Sequence, residues 1–452
     1  MPNPFGPAIV LMLWIPTQSG QQHQESHSPD AGQNHGGDAG AFYGDYDPGR
    51  ESSGTSWLPG STPMEGFHFG AGEWTFMVHG FVNFVYQDES EPRGSSESFS
   101  TNAAMLTVQR PLGAGKLGVR FMGSLEPTLG PEGYPLLLQT GETADGANPL
   151  FDRQHPHDVL MEAALTYSRP ISAKNSFFVY FAPVGEPAFG PPAFMHRFSG
   201  SDNPVPPIVH HWFDSTHITY GVLTLGLVHR DKLKLDGSIF NGREPDPERW
   251  DIDPIRLNSY SMRFTLNPAP NWSVQASFAQ LDSPEQIHQG IDVIRLSASA
   301  AYNRRLSGGN WQTTLAWGRN KRARTFLTYQ PPSTDGTTHV HVVPGQFGVS
   351  PVLTQNALFA ETALRLRERH TVFARMEIAE KDELFAASDP RHAQVSNVSK
   401  LSGGYVFDFL SLGHLRIGVG GYGSIHFLDE ELNDLYGERP TSYGLYLRLR
   451  VL

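Results

Sequence analysis

The last ten residues of the chain read YGLYLRLRVL (Tyr443–Leu452). Tyr443, Leu445, Leu447, Leu449 and Val451 share one parity, and Tyr446, Arg448 and Arg450 the other. Successive side chains of a β-strand point to opposite faces, so this stretch is a strand with one apolar and one charged face. Where the apolar face meets lipid, an arginine of the wrong parity would cost roughly 2–4 kcal/mol at the bilayer midplane. The parity is then a physical requirement.

The same two-faced pattern recurs back along the chain. Trp74, Phe76, Val78, Val82 and Phe84 oppose His79 and Asn83; Leu117, Val119, Phe121 and Leu125 oppose Arg120 and Ser124. Val159, Met161, Ala163 and Leu165 oppose Glu162 and Thr166, and Val372, Met376 and Ile378 oppose Arg375 and Glu377. Connections between these segments alternate in length. Those at 110–116, 170–175, 230–232, 267–271, 306–310 and 367–370 are tight; those at 87–100, 127–157, 185–214, 242–254, 320–354, 380–393 and 427–440 are long and polar. Short turns on one side and long loops on the other are the signature of a membrane barrel. The expectation is an all-β, closed, transmembrane antiparallel β-barrel of about 16 strands (14–18), with short periplasmic turns and long extracellular loops. An even count brings both ends of the barrel to the periplasmic side, and about sixteen strands leave an aqueous interior.

Composition agrees with this. Only 39% of residues are hydrophobic, as expected where alternate strand residues face water. No apolar run of about 20 residues follows the N-terminus, which excludes a helical membrane bundle. The absence of cysteine excludes disulfides and thiolate metal sites. A net charge of −12 argues against nucleic acid as a partner. Residues 1–20, with the apolar stretch Phe5–Ile15, read as a signal peptide cut near Thr17–Gly20. Residues 21–72 are rich in Gly, Ser, His and Asp, and read as a disordered periplasmic arm. Trp57 and the patch Met64–Phe67 are candidates for folding back to plug or pack on the barrel mouth. Residues 73–452 form the barrel.

Two groups of residues bear on function. The inward parity places Arg120, Glu162, Arg263, Arg295, Glu361, Arg365, Arg375, Glu377, Arg416, Arg448 and Arg450, with Asp408, along the lumen. A charged lumen suits a filtering channel, and the arginines favour anionic or polar solutes. The second group is histidine-rich. FDRQHPHD (Phe151–Asp158) supplies His155, His157 and Asp158; the loop before the next strand but one supplies His196, His210, His211, Asp214 and His217. Imidazole and carboxylate gathered at one rim suit Zn²⁺ or Cu²⁺. His339 and His341 form a further His-x-His, and His23, His27 and His35 lie in the arm. The same cluster offers a hydrolase set: Ser215 as nucleophile, His157 or His217 as base, Asp214 or Asp158 as orienter. Prolines in GEPAFGPP (Gly185–Pro192) and NPVPP (Asn203–Pro207) stiffen loop 185–214, the third on its side, and an inward fold would narrow the pore.

The strings GYPLLLQTGET (Gly133–Thr143), DRQHPHD (Asp152–Asp158), GEPAFGPPAFMHR, HHWFDSTHITYG and FNGREPD resemble an uncharacterised family of Gram-negative outer-membrane β-barrel, porin-like proteins over residues 50–452. The closing strand resembles the C-terminal recognition signal of such proteins, although it ends Val451-Leu452 rather than on an aromatic residue. The resemblance implies a bacterial outer membrane location, contact with lipid and lipopolysaccharide, and frequent association with heavy-metal efflux systems. It supplies no catalytic residues. The expected function is a porin-like channel with a His-rich extracellular mouth. The alternatives are a metal-binding protein of copper or zinc tolerance and, third, a rim-site hydrolase. The oligomeric state stays open between a porin-like homotrimer and a monomer.

Overall fold

The computed structural model describes residues 41–323, 352–392 and 394–451. Sixteen antiparallel strands follow in chain order: β1 (Trp74–Glu89), β2 (Ser96–Leu112), β3 (Gly115–Gly123), β4 (Leu160–Ser172), β5 (Asn175–Gly185), β6 (Thr219–His229), β7 (Leu233–Phe240) and β8 (Ser259–Leu266). They continue as β9 (Trp272–Leu281), β10 (Val293–Leu306), β11 (Gly309–Ala323), β12 (Val352–Leu366), β13 (His370–Lys381), β14 (Ser396–Leu412), β15 (Leu415–Leu428) and β16 (Thr441–Val451). Each pairs with its chain neighbours, and β16 returns to β1 with Val451 opposite Gly80 and Ser442 opposite Glu89. The sheet closes on itself. A short strand, Phe67–Ala71, pairs with Trp74–Val78 and covers the part of β1 that β16 does not reach. Its two-residue turn uses Gly72 at φ +63°, the left-handed backbone such hairpins need.

Exposure follows the parity of the sequence. On β16, Tyr443, Leu445 and Leu447 are exposed on the outer face, while Tyr446, Arg448 and Arg450 are buried within. Phe84, Phe121, Leu165, Phe181, Leu225, Met262, Leu315 and Val419 extend the outer apolar band around the ring. Among the described residues the long connections lie at one end: L1 (90–95), L2 (124–159), L3 (186–218), L4 (241–258), L5 (282–292), L7 (382–392 and 394–395) and L8 (429–440); the connection 324–351, L6 in chain order, lies outside the described residues. L1 is shorter than predicted, because β1 and β2 stay paired out to Asp88 and Ser96. Met161 also departs from expectation. Assigned to the lipid face, it is fully buried, because the β3–β4 register shifts there: Met122 faces Glu162, and Gly123 faces Leu160. The bulge turns Met161 and Glu162 to the same, inner side.

The interior is filled by the chain itself. Residues 41–66 belong to the stretch expected to be disordered, yet they are ordered within the barrel. Tyr43, Trp57 and Leu58 are buried, and the backbone is bonded to the wall: Asn267 Nδ2 donates to Leu58 O at 2.9 Å, and Ser61 Oγ to Asn303 O at 2.9 Å. Thr55 Oγ1 donates to Asp236 at 2.6 Å. The composition argument considered what the arm can bury alone; the lumen wall supplies the partners it lacks. Predicted residues 1–40, including the signal peptide and His23, His27 and His35, lie outside the described residues, as do His339 and His341.

L3 also turns inward, seated on an apolar floor inside the barrel. Val205, Ile208, Val209, Trp212 and Phe213 pack with Leu136, Leu137 and Leu138 of L2 against Ala316, Phe359 and Phe373 of the wall. Close approach demands small wall residues. A Cβ on Gly318 would stand 2.8 Å from Trp212 Cβ, and one on Gly118 would overlap the Phe42 ring at 1.8 Å.

Candidate functional site

The inward charges are arranged as pairs and chains. Arg120 meets Glu162 at 3.2 Å and Arg263 meets Asp236 at 2.8 Å. Arg375 bonds Glu377 at 3.1 Å and the carbonyls of Val205 and Pro206 in L3, both at 3.0 Å. Arg295 reaches Asn320 at 3.1 Å and Ser215 of L3 at 2.8 Å. Glu361 accepts from Arg197 of L3 at 2.6 Å, and Arg197 spans to Asp214 at 2.8 Å. The longest chain joins three parts of the molecule: Arg365 of β12 binds Glu65 of the arm, Glu65 binds Arg450, Arg450 meets Asp202 of L3 at 3.2 Å, and Asp202 binds Arg448, which holds Asp408 at 3.0 Å. Arg416 stands apart, part-exposed at a short turn and paired with Glu368 at 3.3 Å. A buried charge is tolerable only when paired, so these bonds tie the arm and L3 to the wall.

The predicted histidine group divides. His155, His210 and His211 converge on Glu142 of L2, a residue the sequence reading did not single out. Glu142 Oε1 lies 3.5 Å from His210 Nε2 and 3.7 Å from His211 Nε2, and Oε2 lies 3.5 Å from His155 Nδ1. A two-residue ladder, Glu142–Thr143 against Pro149–Leu150, sets Glu142 in place. Gly141 beside it has φ +90°, and a Cβ there would meet His211 at 2.8 Å. Gln139 Nε2 and Gln154 Nε2 donate to Glu142 Oε1 at 3.0 and 3.2 Å, and the His155 N–H donates to Oε2 at 2.7 Å. Arg249 donates to His155 Nδ1 at 2.7 Å, while His210 Nδ1 is buried without a hydrogen bond.

Electrostatics sets the protonation of this group. Burial alone would raise the Glu142 carboxyl, but His155, His210 and His211 outweigh it and hold it well below the usual range. Burial lowers His155 far below its ordinary value and His210 to about 4. Burial also opposes the charged form of His211, yet Glu244 and Glu142 outweigh it and raise the group. Glu142 and His210 are thus in the forms that bind metal, whereas His211, raised by its carboxylate neighbours, must give up a proton to do so.

The other predicted residues go elsewhere. His157 Nδ1 bonds Glu126 at 2.8 Å, and its ring stands 5.2 Å from that of His217. Asp158 lies 3.7 Å from Arg249, and Asp214 is held by Arg197. His155, His157, Asp158, His210, His211 and His217 nonetheless line one internal cavity of about 20 Å³, enough for about one water-sized occupant. His196 lies in another cavity, its ring 6.4 Å from that of His79. A second carboxylate–imidazole group, Glu285, His288 and Glu383, surrounds Arg322 at the same end. The hydrolase arrangement is not assembled: Ser215 Oγ accepts from Arg295, and His217 Nδ1 bonds the Asp214 carbonyl at 2.6 Å.

The molecule is of the class of closed, sixteen-strand antiparallel β-barrels with an apolar outer face and a charged interior. The sequence matches no family model and no curated protein. Among solved structures, the chain is similar to an anion-selective porin from Comamonas acidovorans, with 11% identity, 84% of this chain and 100% of that chain covered, and a TM-score of 0.49. It is similar to the outer membrane channel DcaP of Acinetobacter baumannii, with 10% identity, coverage of 86% and 100%, and a TM-score of 0.46. For OmpF of Salmonella typhi, solved with daunomycin, the values are 10%, 84% and 100%, and 0.44.

Proposed function

We propose that the protein is a channel of the bacterial outer membrane whose aperture is set by its own arm and L3. The observation that carries this reading is the nature of the filling. Much of what holds the arm and L3 is polar: ion pairs and hydrogen bonds to a wall patterned for water, such as the chain Arg365–Glu65–Arg450–Asp202–Arg448. Polar contacts of this kind can exchange for water, which an all-apolar core cannot do at comparable cost. The wall arginines that favoured anions are paired with carboxylates or bonded to the inward segments. The reading therefore concerns small polar solutes and ions without preference of sign.

The test is single-channel recording in planar bilayers. The wild-type protein is expected to show small steps, and Arg365→Ala/Arg450→Ala, which frees Glu65 of the arm, larger ones. Silence from both correctly folded proteins overturns the channel reading.

A second reading, metal binding at the mouth, is favoured by the Glu142 group. Glu142, His210 and His211 present ligand atoms all within 4.8 Å of one another, a donor set suited to Zn²⁺ or Cu²⁺. Equilibrium dialysis of the wild type against His210→Ala/His211→Ala measures it. Equal stoichiometric uptake by both proteins removes this reading.

A further inference from the structure

A second cavity, of about 130 Å³, lies in the half of the lumen nearer the short turns, between β1, β2, L3 and the arm. Its lining is distinctive in chemistry. β1 contributes Met77 and His79, β2 contributes Met105, L3 contributes Met195 and His196, and the arm contributes Met64. Six of the ten methionines of the chain gather here, since Met122 and Met161 pack with Met105 and Met195. Strand register explains part of the clustering. Met77 and His79 share the inner parity of β1, and His79 stands directly opposite Met105, a separation at which side chains on one face touch. The bulge in β4 adds Met161 behind them. Two imidazole nitrogens, His79 Nδ1 and His196 Nε2, are buried without a hydrogen bond. The charged residues at the cavity edge are two of each sign, Glu51, Glu65, Arg120 and Arg450, with Arg450 bound to Glu65 and Arg120 to Glu162.

Thioether sulfur and neutral imidazole are soft and borderline donors. They select soft cations such as Cu(I) and disfavour hard ones such as Mg²⁺ or Ca²⁺. Packing alone would be served as well by leucine, and it leaves the two bare nitrogens unexplained. We propose that this cavity binds a soft monovalent cation of the Cu(I) or Ag(I) class, held by thioethers from Met77, Met105 and Met195 and imidazoles from His79 and His196. The site is separate from the Glu142 group, shares no residue with it, and does not depend on the channel reading.

The experiment titrates the purified full chain in detergent with Ag(I), a redox-inert ion of this class, and records X-ray absorption at the silver edge. One Ag(I) per chain with sulfur in its coordination shell is expected. Met77→Leu/Met105→Leu/Met195→Leu, which keeps core volume, should weaken binding by at least about tenfold, the lower end of what even an outer-shell loss costs. His79→Ala/His196→Ala, with the methionines intact, is expected to weaken binding as well and serves if the leucine variant does not fold. His210→Ala/His211→Ala should leave Ag(I) affinity unchanged. Coordination without sulfur, or unchanged affinity in the cavity variants, or loss of binding in the His210/His211 variant, overturns the proposal.

Discussion

At the scale of single residues, burial decides what each charge can do. Asp152 of L2 accepts from the Leu138 N–H at 2.7 Å and from Tyr436 Oη at 3.3 Å, and meets Arg93 Nε at 3.3 Å, joining L1, L2 and L8. Burial pushes its carboxyl up to about 6, against the pull of Arg93, from an ordinary value of about 3.9. Between those two values the folded loops hold more proton than the unfolded chain. Stability of this junction therefore falls as pH rises through that window and is level above about 6. Hydrogen-exchange protection of residues 134–154 should be greater at pH 4.5 than at pH 7, and Asp152→Asn should flatten the difference. A protection factor that rises with pH in the wild type would contradict this. Glu142 shows where residue-level reading stops. Its histidine partners stand out because they are scarce and clustered, whereas one glutamate in a polar loop looks like any other until Gly141 and the ladder at 142–150 turn it inward.

At the scale of elements, strands and loops were legible to different degrees for a physical reason. A strand between lipid and lumen must alternate, so β1, β13 and β16 declare themselves through local pattern. The arm and L2 are held by partners far away in the chain. Thr55 needs Asp236, Ser61 needs Asn303, and Leu136–Leu138 need Phe359 and Phe373; no local window contains both halves. L3 was half legible, because its prolines announce rigidity but not the floor on which it sits. The seats for these segments are glycines on the inner wall, which gives a prediction at this scale. Gly118→Val in β3 should expel Phe42 and its neighbours, since any Cβ there overlaps the ring and also meets Thr166 Oγ1 at 2.5 Å. A local cost of about 1–3 kcal/mol is expected, borne by the arm while the barrel stays folded. Limited proteolysis reads it: faster cleavage within 41–60 beside an intact barrel supports the seating, and unchanged cleavage argues that Phe42 packs elsewhere.

At the scale of the whole molecule, two patterns run around the ring: an outer apolar band and an inner set of paired charges. They make opposite demands on the same strand, and β16 carries both in adjacent residues. Leu447 is exposed at the middle of the strand, next to the buried Tyr446 and Arg448. Nothing within the protein requires Leu447 to be apolar, since an exposed leucine in water is ordinary. Only hydrocarbon outside the barrel makes a charge there expensive. Leu447→Arg should therefore cost roughly 2–4 kcal/mol in folding free energy in lipid vesicles, whereas Thr441→Arg, at the long-loop end of the same strand, should cost about 0–1 kcal/mol. The two variants share the strand, its pairing with β1 and β15, and the added guanidinium; they differ in depth. Urea titrations of folding into vesicles measure both costs. A depth-dependent difference places the outer band in the bilayer. Equal costs near zero would mean that the apolar face meets something other than lipid.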